Sequence, residues 1–330
     1  MSRATNDLVA EAARDLPASL FHGSDGRAVR PCTPPEVTMR HLRLLDILPG
    51  QRILDVGLGS GYSAALASRI TGPEGQVTGV DINPELAERA RDLYARHQLP
   101  VTVHVGDGML GYSAGAPYER ILVGATPPHI PAAWLDQLTP GGVLLSGVRL
   151  CELPGSYAIV RVTVDEQGEP GRVVVHHGGY TPMTAEDSHT RPVHRKGNVF
   201  IAALAPITEE SAGALTAALN AASHSEPSGL DDGEFLHLKN WLIATRPEGL
   251  LEATTPHGTG VGVGQADTGG PAAAAFVTDR VLVADSTESP ALSGLRKLVE
   301  QWRDAGAPET SSLSAALRRD GDRWHVRVAA

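Results

Sequence analysis

The chain has 330 residues, of which 42% are hydrophobic and 20% are charged, and its formal net charge is −10 at pH 7. Such a composition excludes a disordered chain, which lacks the apolar surface needed to offset backbone entropy. Because single hydrophobic cores stop growing at about 250 residues, the length predicts two domains.

Charge and hydropathy also exclude several partners. The acidic balance and the absence of a Lys/Arg cluster argue against nucleic acid, whose phosphates attract basic surfaces. No apolar run approaches the roughly 20 residues that span a bilayer, and the first 20 residues carry charges where a signal peptide is apolar. We therefore expect a cytoplasmic protein with neither a nucleic-acid nor a membrane partner.

Cysteine and histidine spacing predicts no metal site. Cys32 and Cys151 lie far apart without a C-x-x-C pair, which also argues against a disulfide. His176 and His177 are adjacent on a predicted strand, so their side chains point to opposite faces and cannot share an ion with His189 and His194.

Strands and helices alternate in the first half of the chain. Apolar periodicity predicts, in order, a helix over 38–48, strands and helices from 53 to 105, a strand over 120–124, a short helix over 132–138 and a strand over 142–147. A hairpin over 158–164 and 172–176 and a polar connection over 181–198 follow. This alternation is typical of an α/β protein with a doubly wound, Rossmann-like parallel sheet.

The pattern changes near residue 207. Helices are predicted over 209–222, 234–244 and 291–302, with short strands between them and a closing strand over 323–328. We therefore predict a first domain over 1–204 and a smaller C-terminal α+β domain, here called the tail, over 205–330.

A glycine-rich turn follows the first predicted strand, in the segment Asp55-Val56-Gly57-Leu58-Gly59-Ser60-Gly61. Glycine lets a ligand approach the backbone closely. Asp81 ends the second strand, where a carboxylate can accept hydrogen bonds from a ribose diol, and Asp107 follows the third strand in Gly106-Asp107-Gly108. Since the carboxyl ends of parallel strands share one edge, these residues predict a nucleoside-containing cofactor.

The glycine spacing separates two such cofactors. In an NAD fingerprint the third glycine comes three residues after the second, whereas Gly61 comes two after Gly59. The motif also begins with Asp55, and a carboxylate can meet the methionine ammonium group of S-adenosyl-L-methionine (SAM). The spacing therefore favours SAM over NAD.

A longer string is arranged as in one enzyme family. It runs A-P-Y-E-R-I-L-V over Ala116 to Val123, continues with Gly124-Ala125-Thr126-Pro127, and is followed by Ile130-Pro131 and L-T-P-G-G from Leu138. Over about residues 38–148 the chain resembles the protein-L-isoaspartate O-methyltransferase family. The resemblance implies a SAM-dependent carboxyl O-methyltransferase of proteins or peptides, with S-adenosyl-L-homocysteine (SAH) as the product.

The glycine turn and the resemblance together predict the site residues. The expected cofactor contacts are Asp55, Gly57, Gly59, Ser60, Gly61, Asp81, Ile82, Gly106, Asp107 and Gly108. Family members carry Ser-x-Pro before the first core helix, and this chain has Thr33-Pro34-Pro35. Thr33 is therefore the predicted catalytic residue, with Pro34, Ala125 and Thr126 as further substrate contacts. The alternative is that Thr-Pro-Pro only begins a helix.

Two departures from the family pattern bear on the substrate. Residues 20–32 lack the family's aromatic and acidic substrate segment, and we expect the tail to have no counterpart in the ordinary repair enzyme. Similar extended enzymes accompany ribosomally made modified peptides such as lanthipeptides, lasso peptides and graspetides, and they methylate an aspartate side chain. The methyl ester can close to a succinimide, which hydrolyses to aspartate or isoaspartate.

The sequence thus predicts a peptide-directed enzyme whose tail recognises its substrate. The nucleophile needs no general base, because a carboxylate with a reference pKa near 3.9 is already ionised at neutral pH. Three alternatives stay open: a general repair enzyme for L-isoaspartyl residues in damaged proteins, a SAM-dependent methyltransferase acting on a small molecule or RNA, and a non-catalytic SAM-fold protein that binds a peptide.

Overall fold

The helices and strands of the first half follow the predicted order. The computed structural model describes residues 3–23, 25–183, 191–266 and 271–330. The helices of this half are α1 (Arg3–Asp15), α2 (Pro35–Leu45), α3 (Tyr62–Thr71), α4 (Pro84–Arg96) and α5 (Ala132–Asp136). The strands are β1 (Arg52–Val56), β2 (Gln76–Asp81), β3 (Val101–Val105), β4 (Tyr118–Val123), β5 (Ile130–Pro131), β6 (Leu138–Arg149), β7 (Tyr157–Val164) and β8 (Pro170–His177).

Seven of these strands form one sheet in the order β3-β2-β1-β4-β6-β7-β8. The pairs from β3 to β6 are parallel, and β7 and β8 continue the sheet as an antiparallel hairpin. The predicted doubly wound sheet and its hairpin are thereby confirmed. In register, Val56 of β1 lies opposite Val80 of β2 and Val123 of β4, so the three strands end level at one edge.

One predicted strand differs in length. The Pro140-Gly141 pair predicts a turn before a strand over 142–147, but β6 begins at Leu138. Between the pairs Tyr118–Leu138 and Arg120–Val143 the register shifts. Gly141, with a φ of 74°, therefore lies in an irregularity inside β6.

The second half adds three helices and nine strands among the residues that the structure describes. The helices are α6 (Glu209–Asn220), α7 (Asp232–Thr245) and α8 (Pro290–Asp304). The strands are β9 (His194–Lys196), β10 (Val199–Ala203), β11 (His224–Pro227), β12 (Leu250–Thr255), β13 (Gly258–Gln265), β14 (Ala273–Val277), β15 (Val281–Ala284), β16 (Ser314–Asp320) and β17 (Arg323–Ala329). Single turns of 3-10 helix occur at Ala18–Phe21, Gly108–Leu110, Ser113–Gly115 and Thr310–Ser312.

A second seven-stranded sheet has the order β11-β15-β14-β13-β12-β10-β9 and is antiparallel throughout. It includes β9 and β10, which the predicted boundary after residue 204 assigns to the first domain. β9 also interrupts the predicted connection over 181–198, of which residues 184–190, with His189, lie outside the described residues. No local signal marks this membership, because the β9–β10 hairpin joins the sheet through β12, about 50 residues later.

The tail shares its core with the first sheet. One cluster of buried residues contains Leu54 of β1 and Trp134 of α5 together with Leu242 of α7 and Trp302 of α8. The closing strand β17 pairs with β5, with Trp324 opposite Ile130. The tail therefore packs closely on the first sheet, and its removal would expose apolar surface on both parts.

In the described parts of the chain, no helix combines the length and the apolar character that crossing a bilayer requires.

Candidate functional site

A cavity of about 880 Å³ opens at the carboxyl edge of the first sheet. Ten of the predicted site residues line it: Thr33, Pro34, Gly57, Gly59, Ser60, Asp81, Ile82, Asp107, Gly108 and Ala125. Asp55, Gly61, Gly106 and Thr126 are not among its lining residues. The level ends of β1, β2 and β4 bring the three sequence motifs together at this edge.

Gly59 lies where no larger residue fits. Its φ is 52°, in the left-handed region, and a Cβ atom there would lie 2.8 Å from the Pro31 carbonyl oxygen. The glycine turn therefore packs directly against the segment that carries Thr33. This contact requires the glycine and joins the nucleoside end of the cavity to the predicted catalytic residue.

Asp81 is fixed in place by two backbone groups. Its Oδ2 accepts a hydrogen bond from the Gly59 N–H at 3.2 Å, and its Oδ1 accepts one from the Asn83 N–H at 2.9 Å. Each carboxylate oxygen retains a free lone pair, so both can also accept from a ribose diol. The neighbouring Ile82 is 73% exposed on the cavity wall and offers an apolar surface to a nucleobase.

Asp107 lies at the other side of the same edge. Its Oδ1 accepts a hydrogen bond from the Met109 N–H at 2.9 Å and caps the short helix that follows. The side chain is exposed, and the residue lines the cavity. Its position suits the predicted contact with an adenine amino group, which stays a prediction.

Asp55 lies behind the glycine turn and is only 1% exposed. Its Oδ2 accepts a hydrogen bond from the Ser63 hydroxyl at 2.6 Å, while its Oδ1 is buried and has no partner among the described residues. Burial raises the pKa of this carboxyl from 3.8 to about 7, and the nearby Asp81 adds to the rise. An unsatisfied buried acceptor is costly. The buried carboxyl of Asp55, the glycine turn and Asp81 together fit SAM, which carries an ammonium group and a positively charged sulfur.

Thr126 has a different role from the predicted substrate contact. Its hydroxyl donates a hydrogen bond to the Tyr180 carbonyl oxygen at 2.8 Å. Its backbone N–H donates to the Thr181 carbonyl and its carbonyl accepts from the Met183 N–H, both at 2.8 Å. Thr126 is buried, and its hydrogen bonds hold the segment after β8 against the end of β4. Ala125, by contrast, lines the cavity.

Three parts of the cavity wall were not predicted from the sequence. They are the inner face of α2 with Arg40 and His41, the segment 177–183 after β8, and the first turns of α7 with Asp232 and Leu236. A signal for the second was the Gly178-Gly179 pair directly after a strand. Gly178 has a φ of 109°, and a Cβ there would lie 2.8 Å from Nη2 of Arg40.

These parts meet in a polar cluster of Arg40, His41, His177 and Tyr180. Nη1 of Arg40 donates to Nε2 of His177 at 2.6 Å, and Nδ1 of His41 and the Tyr180 hydroxyl are hydrogen-bonded at 2.5 Å. The ring of His177 also meets that of His237 on α7 edge-on, with centroids 4.8 Å apart. The cluster therefore connects the cavity to the tail.

The histidines here are held neutral. Burial, followed by the charge of Arg40, lowers the pKa of His41 to about 3 and that of His176 and His177 to about 4. Their ordinary pKa is 6.5. Below pH 6.5 these histidines are therefore protonated in the unfolded chain but stay neutral in the folded chain. The free energy of unfolding is therefore expected to fall as pH decreases from about 6.5 to about 4.

Urea unfolding at pH 8, 6 and 5 measures this loss. His176→Gln removes one of the three titrating groups, and Nε2 of His176 is buried without a partner among the described residues. The free energy of unfolding of the variant should therefore decline less with falling pH than that of the unaltered protein. Identical slopes for the two proteins would contradict the assignment of the decline to these histidines.

The doubly wound sheet and the site at its carboxyl edge define a SAM-dependent methyltransferase. A model of the family described as protein-L-isoaspartate(D-aspartate) O-methyltransferase matches residues 30–187. The protein-L-isoaspartate O-methyltransferase of Ignicoccus hospitalis is 36% identical over 173 residues, which are 48% of this chain and 81% of that protein. The one from Anaeromyxobacter dehalogenans is 38% identical over 169 residues, or 51% of this chain and 74% of that protein. The chain belongs to this family, whose members are carboxyl methyltransferases.

The tail also has a structural counterpart. A solved structure named protein-L-isoaspartate O-methyltransferase aligns with 98% of this chain and 95% of its own, with a TM-score of 0.51 and 17% identity. The likeness shows that the fold of the tail also occurs in another chain.

Proposed function

We propose that this chain transfers a methyl group from SAM to the carboxylate of an isoaspartyl or aspartyl residue in a peptide or protein. The observation that carries the proposal is that one cavity is lined both by Asp81, the predicted ribose contact, and by Thr33, the predicted counterpart of the serine in the family's Ser-x-Pro. Membership of the carboxyl methyltransferase family supports it.

Bound SAM supplies an electrophilic methyl group attached to a positively charged sulfur. The residues of the chain need only orient the reactants, because the acceptor carboxylate is ionised at neutral pH. His41 and His177 are neutral there but are not required as bases. Holding the reacting atoms in line and excluding water accelerates such a transfer. The resulting ester has a better leaving group than the carboxylate, so the next backbone nitrogen can close a succinimide without the enzyme.

The test is mass spectrometry of a short isoaspartyl peptide incubated with the full chain and SAM. A product heavier by one methyl group, followed by loss of methanol to a succinimide, supports the proposal. Absence of any methylated product from isoaspartyl and aspartyl peptides alike would leave the binding-only alternative.

Thr33 provides a second test. It lines the cavity, while the residue that precedes α2 as its N-cap is Pro34, so the Thr33 hydroxyl does not cap the helix. Thr33→Ala is expected to lower kcat several-fold and leave SAH affinity unchanged, because the lost hydroxyl lies at the acceptor end. Thr33→Ser, which keeps the hydroxyl, is the matched control. Equal kcat values for Thr33→Ala and the unaltered enzyme would reduce Thr33 to a helix entry.

We further propose that the acceptor is an aspartate of a ribosomally made modified peptide and that the tail takes part in holding it. The supporting observation is that Asp232, Gly233 and Leu236 of α7 line the same cavity. A substrate in the cavity therefore meets tail residues. Such contacts would narrow the range of accepted peptides.

Point variants suit this test better than deletion, because the tail shares its core with the first sheet. Leu236→Ala should raise KM for a modified peptide and leave KM for a short isoaspartyl peptide unaltered. Leu298→Ala on α8, also a partly buried leucine, is the control. If the isoaspartyl peptide is the better substrate and Leu236→Ala affects neither, general repair is the function.

A further inference from the structure

The charge of the cavity wall is unevenly distributed. Among the described residues that line it, Arg40 is the only lysine or arginine, whereas three aspartates, Asp81, Asp107 and Asp232, are present. The lining histidines His41 and His177 are neutral at pH 7. A carboxylate in this cavity is therefore repelled by the three aspartates and attracted to Arg40.

Arg40 is held rigidly at that position. Nη1 donates to Nε2 of His177 at 2.6 Å, and Nη2 donates to the His177 carbonyl oxygen at 3.2 Å. The adjacent Gly178 leaves the space that Nη2 occupies. Nε is buried and has no partner among the described residues, and each Nη carries two N–H groups that can donate. Burial lowers the pKa of Arg40 from its ordinary value of 12.5, but an arginine in a protein stays protonated at neutral pH.

None of these contacts neutralises the charge. His177 and the backbone carbonyl are neutral acceptors, and no carboxylate of the described chain forms an ion pair with Arg40. A buried or half-buried cation without an anionic partner favours binding of an anion. The cavity thus combines a nucleoside edge at Asp81 with an anion-binding point at Arg40.

We propose that Arg40 binds the substrate carboxylate that accepts the methyl group, an inference that rests on the proposed function. The guanidinium holds one carboxylate oxygen and leaves the other to attack. A bond forms between that oxygen and the methyl carbon, and the carbon–sulfur bond breaks with its electron pair on sulfur. The carboxylate thereby becomes a neutral ester and loses its attraction to Arg40, which favours release of the product.

The same side chain also separates acceptors by charge. An asparagine amide or an existing methyl ester has the size of a carboxylate but no charge to pair with Arg40. Charge-assisted hydrogen bonds are roughly twice as strong as those between neutral groups, so a neutral analogue should bind markedly less tightly. The carboxylate of SAM itself has the same chemistry, and the experiment must separate the two sources.

The experiment compares the unaltered chain with Arg40→Gln and Arg40→Lys. KM and kcat are measured for an isoaspartyl peptide, and SAH affinity is measured by calorimetry. We expect Arg40→Gln to raise KM at least about fivefold with SAH affinity within about twofold, and Arg40→Lys to recover part of the loss because it keeps the charge. Weaker SAH binding with an unchanged KM would assign Arg40 to the cofactor carboxylate and overturn the proposal.

A second arm does not depend on the variants folding. Binding of the isoaspartyl peptide to the SAH-loaded, unaltered protein is compared with binding of the same peptide carrying an amide in place of that carboxylate. Preference for the carboxylate supports the proposal, and equal affinities overturn it. If the unaltered protein prefers the carboxylate peptide but never methylates it, the proposed function fails, and weaker binding of that peptide to Arg40→Gln would still assign the carboxylate to Arg40.

Discussion

Replacing Asp81 by alanine is expected to weaken SAH binding about a hundredfold, or about 2.7 kcal/mol. Hydrogen bonds to an ionised acceptor contribute about 1.5–3 kcal/mol each, and Asp81 is placed to accept from both hydroxyls of a ribose. Its carboxylate also holds the backbone N–H groups of Gly59 and Asn83. The variant therefore loses both a ligand contact and the support of the glycine turn. Calorimetric titration with SAH measures the change.

Two controls separate these contributions. Asp81→Asn keeps the shape and one acceptor oxygen but no charge, and it should bind SAH with intermediate affinity. Asp107→Ala removes an exposed carboxylate at the same edge and should have a smaller effect. Unchanged SAH affinity in Asp81→Ala would dismiss the ribose contact and leave Asp81 as a support for the turn.

The nucleoside half of the site was predictable because its signals are local. Each of its motifs directly follows a strand, and parallel strands in adjacent positions end at one edge. The Asn83-Pro84 helix entry is likewise local: the Asn83 side chain accepts from the Glu85 N–H at 2.9 Å. Asp55 was assigned to the cofactor from its place in the motif, but its burial and its unpaired oxygen required coordinates.

The acceptor half depends on contacts between residues far apart in sequence. Arg40 meets His177 across 137 residues, and β17 pairs with β5 across nearly 200. No periodicity or turn signal reports such pairs, so the cavity wall from α7 and the cluster around Arg40 were missed. The extent of the second sheet was not evident for the same reason, since the local β9–β10 hairpin joins that sheet only through the distant β12.

The position of Thr126 shows a further limit of motif reasoning. The family string places it beside Ala125, and both were expected to contact the substrate. Two adjacent residues at a strand end point in different directions. Ala125 lines the cavity, whereas the Thr126 hydroxyl donates a hydrogen bond to the Tyr180 carbonyl oxygen.

Asp55→Asn is expected to change stability and cofactor affinity in opposite directions. The folded pKa of Asp55, about 7, lies above its ordinary value of 3.8. Its contribution to stability is thus fully present below pH 3.8 and is lost as pH rises through 7. A pKa shift of this size lowers the free energy of unfolding by about 4 kcal/mol at alkaline pH, relative to its value below pH 3.8. Asparagine cannot ionise, so the variant without ligand should be more stable at pH 8 by up to a few kcal/mol, and the gain should shrink towards pH 4.

The same substitution removes the buried negative charge that suits the positive groups of the cofactor, so SAH affinity should fall at least about tenfold. Ser63→Ala is the contrasting variant: it removes the 2.6 Å hydrogen bond that stabilises the carboxylate, and it should lower stability at pH 8 rather than raise it. Urea unfolding at pH 8 and pH 5, with SAH titration of each protein, measures all of these changes. If Asp55→Asn is less stable at pH 8, Asp55 serves the fold as an acceptor for Ser63. If the variant is more stable and binds SAH weakly, the buried charge of Asp55 serves cofactor binding and lowers the stability of the protein without ligand.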